Sequence, residues 1–144
     1  MNFEERYRIL TIDDEPNLTD LVRLFLEKTK RYVVFVENRS GRALNTARAV
    51  RPDLILLDVS MPGYDGGDIA RKLGEDGTLQ QTPILFFTSL ISHVETGGRA
   101  VERAGQRFLP KPLCPKLLVA EVDRFVAETR AVPPLLGEIN CWNN

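Results

Sequence analysis

The chain has 144 residues, of which 43% are hydrophobic and 27% are charged, with a formal net charge of −1 at pH 7. This length suits one domain with a single core, and the composition is that of a soluble globular protein without the basic field that holds nucleic acid. The charged N-terminus lacks the apolar core of a signal peptide, and no apolar run approaches the roughly 20 residues that cross a bilayer. We therefore expect a cytoplasmic protein that binds neither nucleic acid nor membranes directly.

Five short segments rich in Ile, Leu, Val and Phe alternate with longer segments of helical pattern, as in repeated βαβ units. Several of them are nearly continuous apolar runs, which is typical of strands in a parallel sheet that is covered on both faces. The predicted strands are 7–13, 32–37, 54–58, 84–88 and 107–111. The pattern predicts an α/β fold with helices on both faces of the sheet.

The segments between and after these strands predict five helices. They begin near Pro16 or span 41–50, 67–73 and 92–105, and the last begins at Pro115 and ends before "VPP". Two glycines, Gly97 and Gly98, interrupt the fourth helix and cost about 1 kcal/mol each relative to alanine. We expect that helix to be the most deformable of the five.

The cysteines and the histidine predict no metal or disulfide chemistry. Cys114 and Cys141 have neither the spacing of a zinc site nor that of a disulfide framework, and we expect two free thiols. His93 has no partner for a zinc site and is predicted to be a surface residue of the fourth helix.

Polar side chains follow four of the five predicted strands. In an open parallel sheet, the carboxyl ends of the strands converge on a crevice where the strand order reverses. The second strand, at an outer position in such an order, ends in Glu37 and Asn38 and need not contribute to this crevice. The residues predicted to meet there are Asp13, Asp14, Asp58, Thr88 and Lys111.

Three carboxylates brought together repel one another unless a cation lies between them. Mg²⁺ prefers oxygen ligands and is commonly held by one or two carboxylates together with phosphate oxygens. We expect Asp14 and Asp58 to be direct ligands, with the backbone carbonyl of Ser60, and Asp13 to bind through a water molecule. The acidic residues therefore predict a magnesium site.

An oxygen of Asp58 remains available beside such a metal for nucleophilic attack, as in enzymes that form aspartyl phosphates. The Thr88 hydroxyl and the Lys111 ammonium group are suited to hold oxygens of a phosphoryl group. Taken singly, each residue also has a structural interpretation, such as a turn residue for Asp58. Their joint placement at four strand ends favours a site that accepts phosphate.

Four segments resemble the receiver domain of two-component response regulators: "ILTIDDEP", "LILLDVSMPGYDG", "PILFFTS" and "FLPKPL". The resemblance covers about 8–127. It implies a flavodoxin-like, doubly wound, five-stranded parallel sheet of order 2-1-3-4-5 with five helices, in a receiver domain spanning 1–130. It also implies a signalling domain, not an enzyme, in which a histidine kinase or phosphotransfer protein phosphorylates Asp58 with Mg²⁺, and which has intrinsic self-phosphorylation and autodephosphorylation activity.

The resemblance further implies a switch in which Thr88 moves inward and Phe108 rotates behind it. Because Phe108 lacks a hydroxyl, the switch must work by packing. The surface of the predicted fourth helix, fifth strand and fifth helix would then change its affinity for a downstream protein effector, and it is also a possible homodimer surface. Ser60 and Leu90 stand where the family tunes the phosphoryl lifetime, and Leu90 predicts slow autodephosphorylation.

Alternatives stay open at this point. A phosphohydrolase of the haloacid dehalogenase type is disfavoured because its nucleophile lies on the first strand in a D-x-D pattern, where this chain has "DDE". A degenerate receiver would have lost an acid, the threonine or the lysine. A receiver fragment of a longer regulator with a missing output domain is also possible, with 131–144 as a short tail or linker remnant.

Overall fold

A computed structural model of the protein describes residues 6–61, 64–89, 100–103, 106–111 and 114–130. Its strands are β1 (Tyr7–Ile12), β2 (Tyr32–Glu37), β3 (Leu54–Leu57), β4 (Ser60–Met61), β5 (Tyr64–Asp65), β6 (Ile84–Thr88), β7 (Val101–Arg103) and β8 (Gln106–Pro110). Its helices are α1 (Pro16–Glu27), α2 (Ala43–Val50), α3 (Gly66–Glu75) and α4 (Pro115–Arg130). The predicted first, second, third and fifth helices correspond to α1, α2, α3 and α4.

The main sheet has six strands in the order β2-β1-β3-β6-β8-β7. The first five of these pair in parallel, which confirms the predicted order 2-1-3-4-5 of a flavodoxin-like, doubly wound sheet. β7 pairs antiparallel with β8 and forms an additional edge strand. β4 and β5 form a separate antiparallel hairpin immediately after the third parallel strand.

Side chains of the parallel strands alternate between two cores. On one face, Ile9, Leu54 and Leu56 pack in the core that also contains the buried Val22 of α1 and Val122 of α4. On the other face, the neighbouring residues of β1 and β3 pack with buried residues of the remaining two helices, and this second core includes Leu10, Ile12, Ile55, Leu57, Ala43, Ala47, Ile69 and Leu73. The prediction that helices cover both faces is confirmed.

Two local features of the chain explain where α1 begins and where α2 ends. Pro16 occupies the first turn of α1, where its missing N–H costs no helical hydrogen bond. α2 follows a 3-10 turn, Ser40–Arg42, and ends at Arg51, whose φ of 53° is left-handed and stops the helix before Pro52. The left-handed residue at the end of α2 lets the chain turn directly into β3.

The predicted fourth helix, 92–105, is wrong for three of its residues, because Val101–Arg103 form β7. Pairing with β8 places Val101 opposite Phe108, Glu102 opposite Arg107 and Arg103 opposite Gln106. This tertiary pairing overrides a helical pattern in the local sequence.

Several other predicted positions, namely Leu90, His93, Cys141 and 131–144, lie outside the described residues, as does most of the predicted fourth helix. Cys114 is a free thiol, as expected. None of the helices in the described part of the chain has the length and apolar content needed to cross a lipid bilayer.

Candidate functional site

Three of the predicted carboxylates meet at the carboxyl ends of β1 and β3. One oxygen from each of Asp13, Asp14 and Asp58 lies within 4.8 Å of the other two. Asp13 and Asp58 are buried, at 2% and 6% exposure, whereas the Asp14 carboxylate is exposed. The acidic cluster is therefore half inside the protein and open to solvent on the side of Asp14.

Backbone hydrogen bonds beyond the strand ends hold the two buried acids in register. The Asp58 N–H donates to the carbonyl of Ile12 at 3.0 Å, and the Asp13 N–H donates to the carbonyl of Glu37 at 3.1 Å. The parallel ladders thus continue one residue past β1 and β3, so each acid is mounted on the rigid sheet and not on a loose loop.

Lys111 brings a cation into this cluster from the end of β8. Its Nζ lies 2.8 Å from Asp13 Oδ2, 3.6 Å from Asp58 Oδ1 and 3.5 Å from Glu15 Oε1. It also lies 5.5 Å from the centroid of the Phe87 ring, at a distance suited to a cation–π contact. Lys111 thus lies among the acidic residues that it was predicted to meet at the strand ends.

The pKa shifts of Lys111 and Asp13 have opposing causes. Burial lowers the pKa of Lys111, but its hydrogen bond to Asp13 and the negative charges of Asp13, Asp58 and Glu15 outweigh burial and raise that pKa. Burial raises the pKa of Asp13 more than Lys111 lowers it. Lys111 is therefore a permanent cation, yet one ammonium group does not balance three carboxylates.

This imbalance and the chemistry of the donor atoms fit a hard divalent cation. All three side chains of the cluster offer carboxylate oxygens, which Mg²⁺ prefers over nitrogen or sulfur ligands. An open cleft of about 720 Å³ adjoins the cluster, with Asp14 and Lys111 in its lining. The acidic cluster is therefore accessible to an ion and to a phosphodonor.

Thr88 and Phe108 lie on adjacent strands beside the cluster. Thr88 ends β6 and is 1% exposed, and the Lys111 N–H donates to its carbonyl at 2.7 Å. Phe108 stacks on Phe86, with ring centroids 5.0 Å apart and planes at 19°. In the β6–β8 pair, Phe108 lies opposite Phe86 and Pro110 lies opposite Thr88. The two residues predicted to form the switch are therefore on neighbouring strands, two residues apart along the register.

Gly66 lies against the main chain of Asp58, a contact that the sequence analysis did not identify. A Cβ at this position would lie 2.5 Å from the carbonyl oxygen of Asp58 and 2.6 Å from the Cα of Val59. The Gly66 N–H donates to the Val59 carbonyl at 2.7 Å, where α3 begins after the β4–β5 hairpin. Only glycine lets the helix start this close to the main chain of Asp58.

Asn38 was also missed, because nothing in the sequence required the end of the second strand to contribute. The Asn38 side-chain amide donates to the Asp13 carbonyl at 2.8 Å and to Thr19 Oγ1 at 3.0 Å. Because this contact depends on the pairing of β1 with β2, no local sequence signal indicates it. Ser60 pairs with Asp65 in the β4–β5 hairpin.

The sequence matches the response regulator receiver domain over residues 9–123. It is 34% identical over 117 residues to the DNA-binding response regulator MtrA of Mycolicibacterium smegmatis, a match that covers 81% of this chain and 49% of that protein. It is 32% identical over 127 residues to the DNA-binding dual master transcriptional regulator RpaA of Synechocystis, covering 88% of this chain and 52% of that protein. The chain spans about half the length of these curated relatives.

Among solved structures, the chain is similar to the chemotaxis response regulator CheY4 of Vibrio cholerae, with a TM-score of 0.69 and 26% identity. That match covers 83% of this chain and 98% of the CheY4 chain. The acidic cluster and Lys111 lie inside the matched region, at the strand ends of the shared fold. The chain therefore belongs to the response regulator receiver domain family of two-component signal transduction.

Proposed function

We propose that this chain is the phosphoacceptor of a two-component phosphorelay and that Asp58 takes a phosphoryl group from a histidine kinase or histidine phosphotransfer protein. An Asp58 oxygen would attack the phosphorus of a phosphohistidine, and the electron pair of the broken P–N bond would leave with the imidazole. The observation that carries this proposal is a buried Asp58 carboxylate beside two further acids, with the Lys111 ammonium 3.6 Å away. The cytoplasmic location expected from the sequence is part of the same proposal.

Asp58 is a better acceptor than its two acidic neighbours. Asp13 receives hydrogen bonds from Lys111 at 2.8 Å and from the Glu15 N–H at 3.1 Å, so both of its oxygens already have donors. The carboxylate of Asp14 is exposed, unlike those of Asp13 and Asp58. Asp58 combines burial with a position directly after β3, in the middle of the sheet.

We propose Mg²⁺ as the cofactor, with Asp14, Asp58 and the Ser60 backbone carbonyl as ligands and Asp13 acting through a water molecule. The convergence of oxygen donors supports this assignment. When bound, the ion would neutralise the carboxylates and polarise the phosphoryl oxygens. The chain itself holds the acids in register through β1 and β3 and supplies the fixed positive charge of Lys111.

After transfer, the Thr88 hydroxyl and Lys111 would each bind one oxygen of the aspartyl phosphate. Thr88 would then act as the switch, and Phe108 would repack behind it. Support for this comes from the close pairing of β6 with β8, which joins the main chains of Thr88 and Lys111 at 2.7 Å. Ser60 and Leu90 would set the phosphoryl lifetime, with Leu90 slowing hydrolysis.

The output would be a change in the surface made by β8, α4 and the segment predicted as the fourth helix. We propose that this surface binds a downstream protein effector and can pair with a second copy of the chain. An ionic network on β8 and α4 supports a polar contact surface: Arg107 lies 2.6 Å from Glu128, and Glu128 lies 3.6 Å from Arg124.

Intact-mass spectrometry after incubation with a small phosphodonor and MgCl₂ tests the proposal. The wild type is expected to gain the mass of one phosphoryl group, and Asp58→Asn is expected to gain none. Asp68→Asn, which changes an exposed acid at the start of α3, is the matched control and should be phosphorylated like the wild type. A phosphoryl gain in Asp58→Asn, or none in the wild type, would overturn the assignment.

A second possibility is that this chain is the receiver part of a longer DNA-binding regulator. The observation that favours it is that the chain spans about half of MtrA and of RpaA, both named as DNA-binding. We then propose that 1–130 is the receiver domain, that 131–144 leads toward an output domain, and that this chain itself does not bind DNA. Fluorescence anisotropy with labelled duplex DNA should show no binding at physiological salt, and salt-sensitive binding would contradict this.

A further inference from the structure

The Asn38 side chain joins the end of β2 to the loop that carries the acidic pair. Its amide donates one hydrogen bond to the carbonyl of Asp13 at 2.8 Å and a second to Thr19 Oγ1 at 3.0 Å. The Asp13 N–H also bonds to this end of β2, through the Glu37 carbonyl. Both main-chain polar groups of Asp13 are therefore held by two consecutive residues of one neighbouring strand end.

Thr19 extends this arrangement to the start of α1. It is fully buried, and its hydroxyl donates to the carbonyl of Pro16 at 3.0 Å, with the Glu15 carbonyl at 3.4 Å. The Thr19 hydroxyl thus accepts a hydrogen bond from the Asn38 amide and donates one to main-chain carbonyls at the start of α1. The amide and the hydroxyl together contact the carbonyls on either side of the exposed Asp14, so they bracket the residue whose own side chain faces the cleft.

We propose that Asn38, acting through Thr19, is the positioning residue that sets the Asp13–Asp14 main chain for divalent-cation binding. This inference rests on the proposed function, since it concerns the same acidic cluster. Asn38 does not touch the reacting atoms, because both of its amide contacts are to a backbone carbonyl and to a hydroxyl. Its contribution is to fix the main chain from which the acidic side chains reach the ion.

Groups that orient metal ligands without binding the metal typically contribute 10- to 100-fold in metal affinity. Asn38 holds its ligand-bearing residue through the backbone, so we expect the lower end of this range. Asn38→Ala should weaken divalent-cation binding about tenfold. Thr19→Val, which keeps the shape but removes the hydroxyl, should weaken it by a smaller factor, and Thr19→Ser should restore it.

The direct measurement is titration with Mn²⁺, an oxygen-preferring ion with an electron paramagnetic resonance signal that reports its free concentration. Dissociation constants are compared for the wild type, Asn38→Ala, Thr19→Val and Thr19→Ser, well below their midpoints of thermal unfolding. Asn45→Ala is the matched control, because Asn45 is an exposed asparagine on α2, away from the acidic loop. A second readout, which needs no metal, is the rate of hydrogen exchange at the Glu15 amide. This amide donates a hydrogen bond to Asp13 Oδ1.

The expected result is a dissociation constant raised about tenfold in Asn38→Ala and unchanged in Asn45→Ala, with faster exchange at Glu15 in the first variant alone. Unchanged Mn²⁺ affinity in Asn38→Ala, whether or not its thermal stability falls, would overturn the inference and leave the proposed function intact. If Asn38→Ala does not fold, equal affinities of Thr19→Val and Thr19→Ser would overturn it in the same way. A wild type that binds no Mn²⁺ would instead overturn the proposed metal site, and the inference with it.

Discussion

The Gly66→Ala substitution tests how closely α3 packs against the main chain of Asp58 at the end of β3. A Cβ at Gly66 would lie 2.5 Å from the Asp58 carbonyl oxygen and 2.6 Å from the Val59 Cα. The first distance is about 0.9 Å short of the 3.4 Å at which ordinary contact begins. Because the opposing atoms belong to the main chain and not to a flexible side chain, either the strand end or the helix must shift.

The magnitude follows from the two interactions that such a shift would disturb. Overpacking a close contact costs about 1–3 kcal/mol. Weakening the 2.7 Å hydrogen bond from the Gly66 N–H to the Val59 carbonyl costs up to about 1 kcal/mol more. The higher helix propensity of alanine offsets part of this, by at most about 1 kcal/mol. We expect the free energy of unfolding to fall by about 2 kcal/mol.

The same displacement should slow phosphorylation, because a misplacement of about 1 Å in a reacting group can cost on the order of 100-fold in rate. Gly74→Ala is the matched control on the same helix, since no atom lies within 4 Å of a Cβ built there. That variant should gain about 0.5 kcal/mol or more in stability. Urea unfolding followed by circular dichroism and the initial rate of phosphoryl incorporation measure the two effects.

Two results would refute this reasoning. Equal unfolding free energies for Gly66→Ala and Gly74→Ala would show that the contact at the Asp58 main chain is not tight. An unfolding free energy lowered in Gly66→Ala with an unchanged phosphorylation rate would show that the position of the Asp58 carboxylate does not depend on this contact.

Two further predictions concern a hydrogen-bonded acid on each side of the sheet. Hydrogen bonds from Thr78 and then from Arg48 lower the pKa of Asp76 to about 2, so its contribution to stability is present above the ordinary pKa of 3.8 and is lost as the pH falls through about 2. In urea unfolding, the stabilities of the wild type and Asp76→Asn should therefore converge between pH 4 and pH 2. A constant difference in stability over that range would contradict this. The buried Glu121 carboxylate accepts a hydrogen bond from the Ala100 N–H at 2.9 Å. Glu121→Ala should therefore lower the free energy of unfolding by about 1–3 kcal/mol and speed hydrogen exchange of the Ala100 amide, whereas Glu121→Gln, which keeps an acceptor, should lower it less. Equal effects of the two variants would contradict the role of the acceptor.

The strand ends could be predicted because parallel strands and polar termini leave a local signature. The apolar run "LILL" predicts β3, and the acid that directly follows it marks the end of the strand. In a parallel sheet these ends must converge, so the sequence alone predicts that Asp13, Asp58 and Lys111 lie close together. Local residue type and one topological rule were sufficient for this part of the site.

What could not be predicted depends on contacts between distant parts of the chain. β7 has a helical pattern in its sequence, and its extended form follows from pairing with β8 and from the bond between Ala100 and Glu121. The role of Asn38 depends on the register between β1 and β2. The need for glycine at position 66 depends on how the β4–β5 hairpin returns α3 to the end of β3.

The Lys111 N–H donates a hydrogen bond to the Thr88 carbonyl at 2.7 Å, and this bond fixes the position of the Thr88 main chain between β6 and β8. Threonine is β-branched, and its χ1 angle occupies a few staggered wells separated by barriers. A rearrangement of Thr88 that keeps this bond is therefore a jump between discrete rotamers, not a gradual slide. Under the proposed switch, a graded input to this domain would therefore be encoded as the fraction of molecules in each Thr88 rotamer, while every single molecule holds one of a few defined positions.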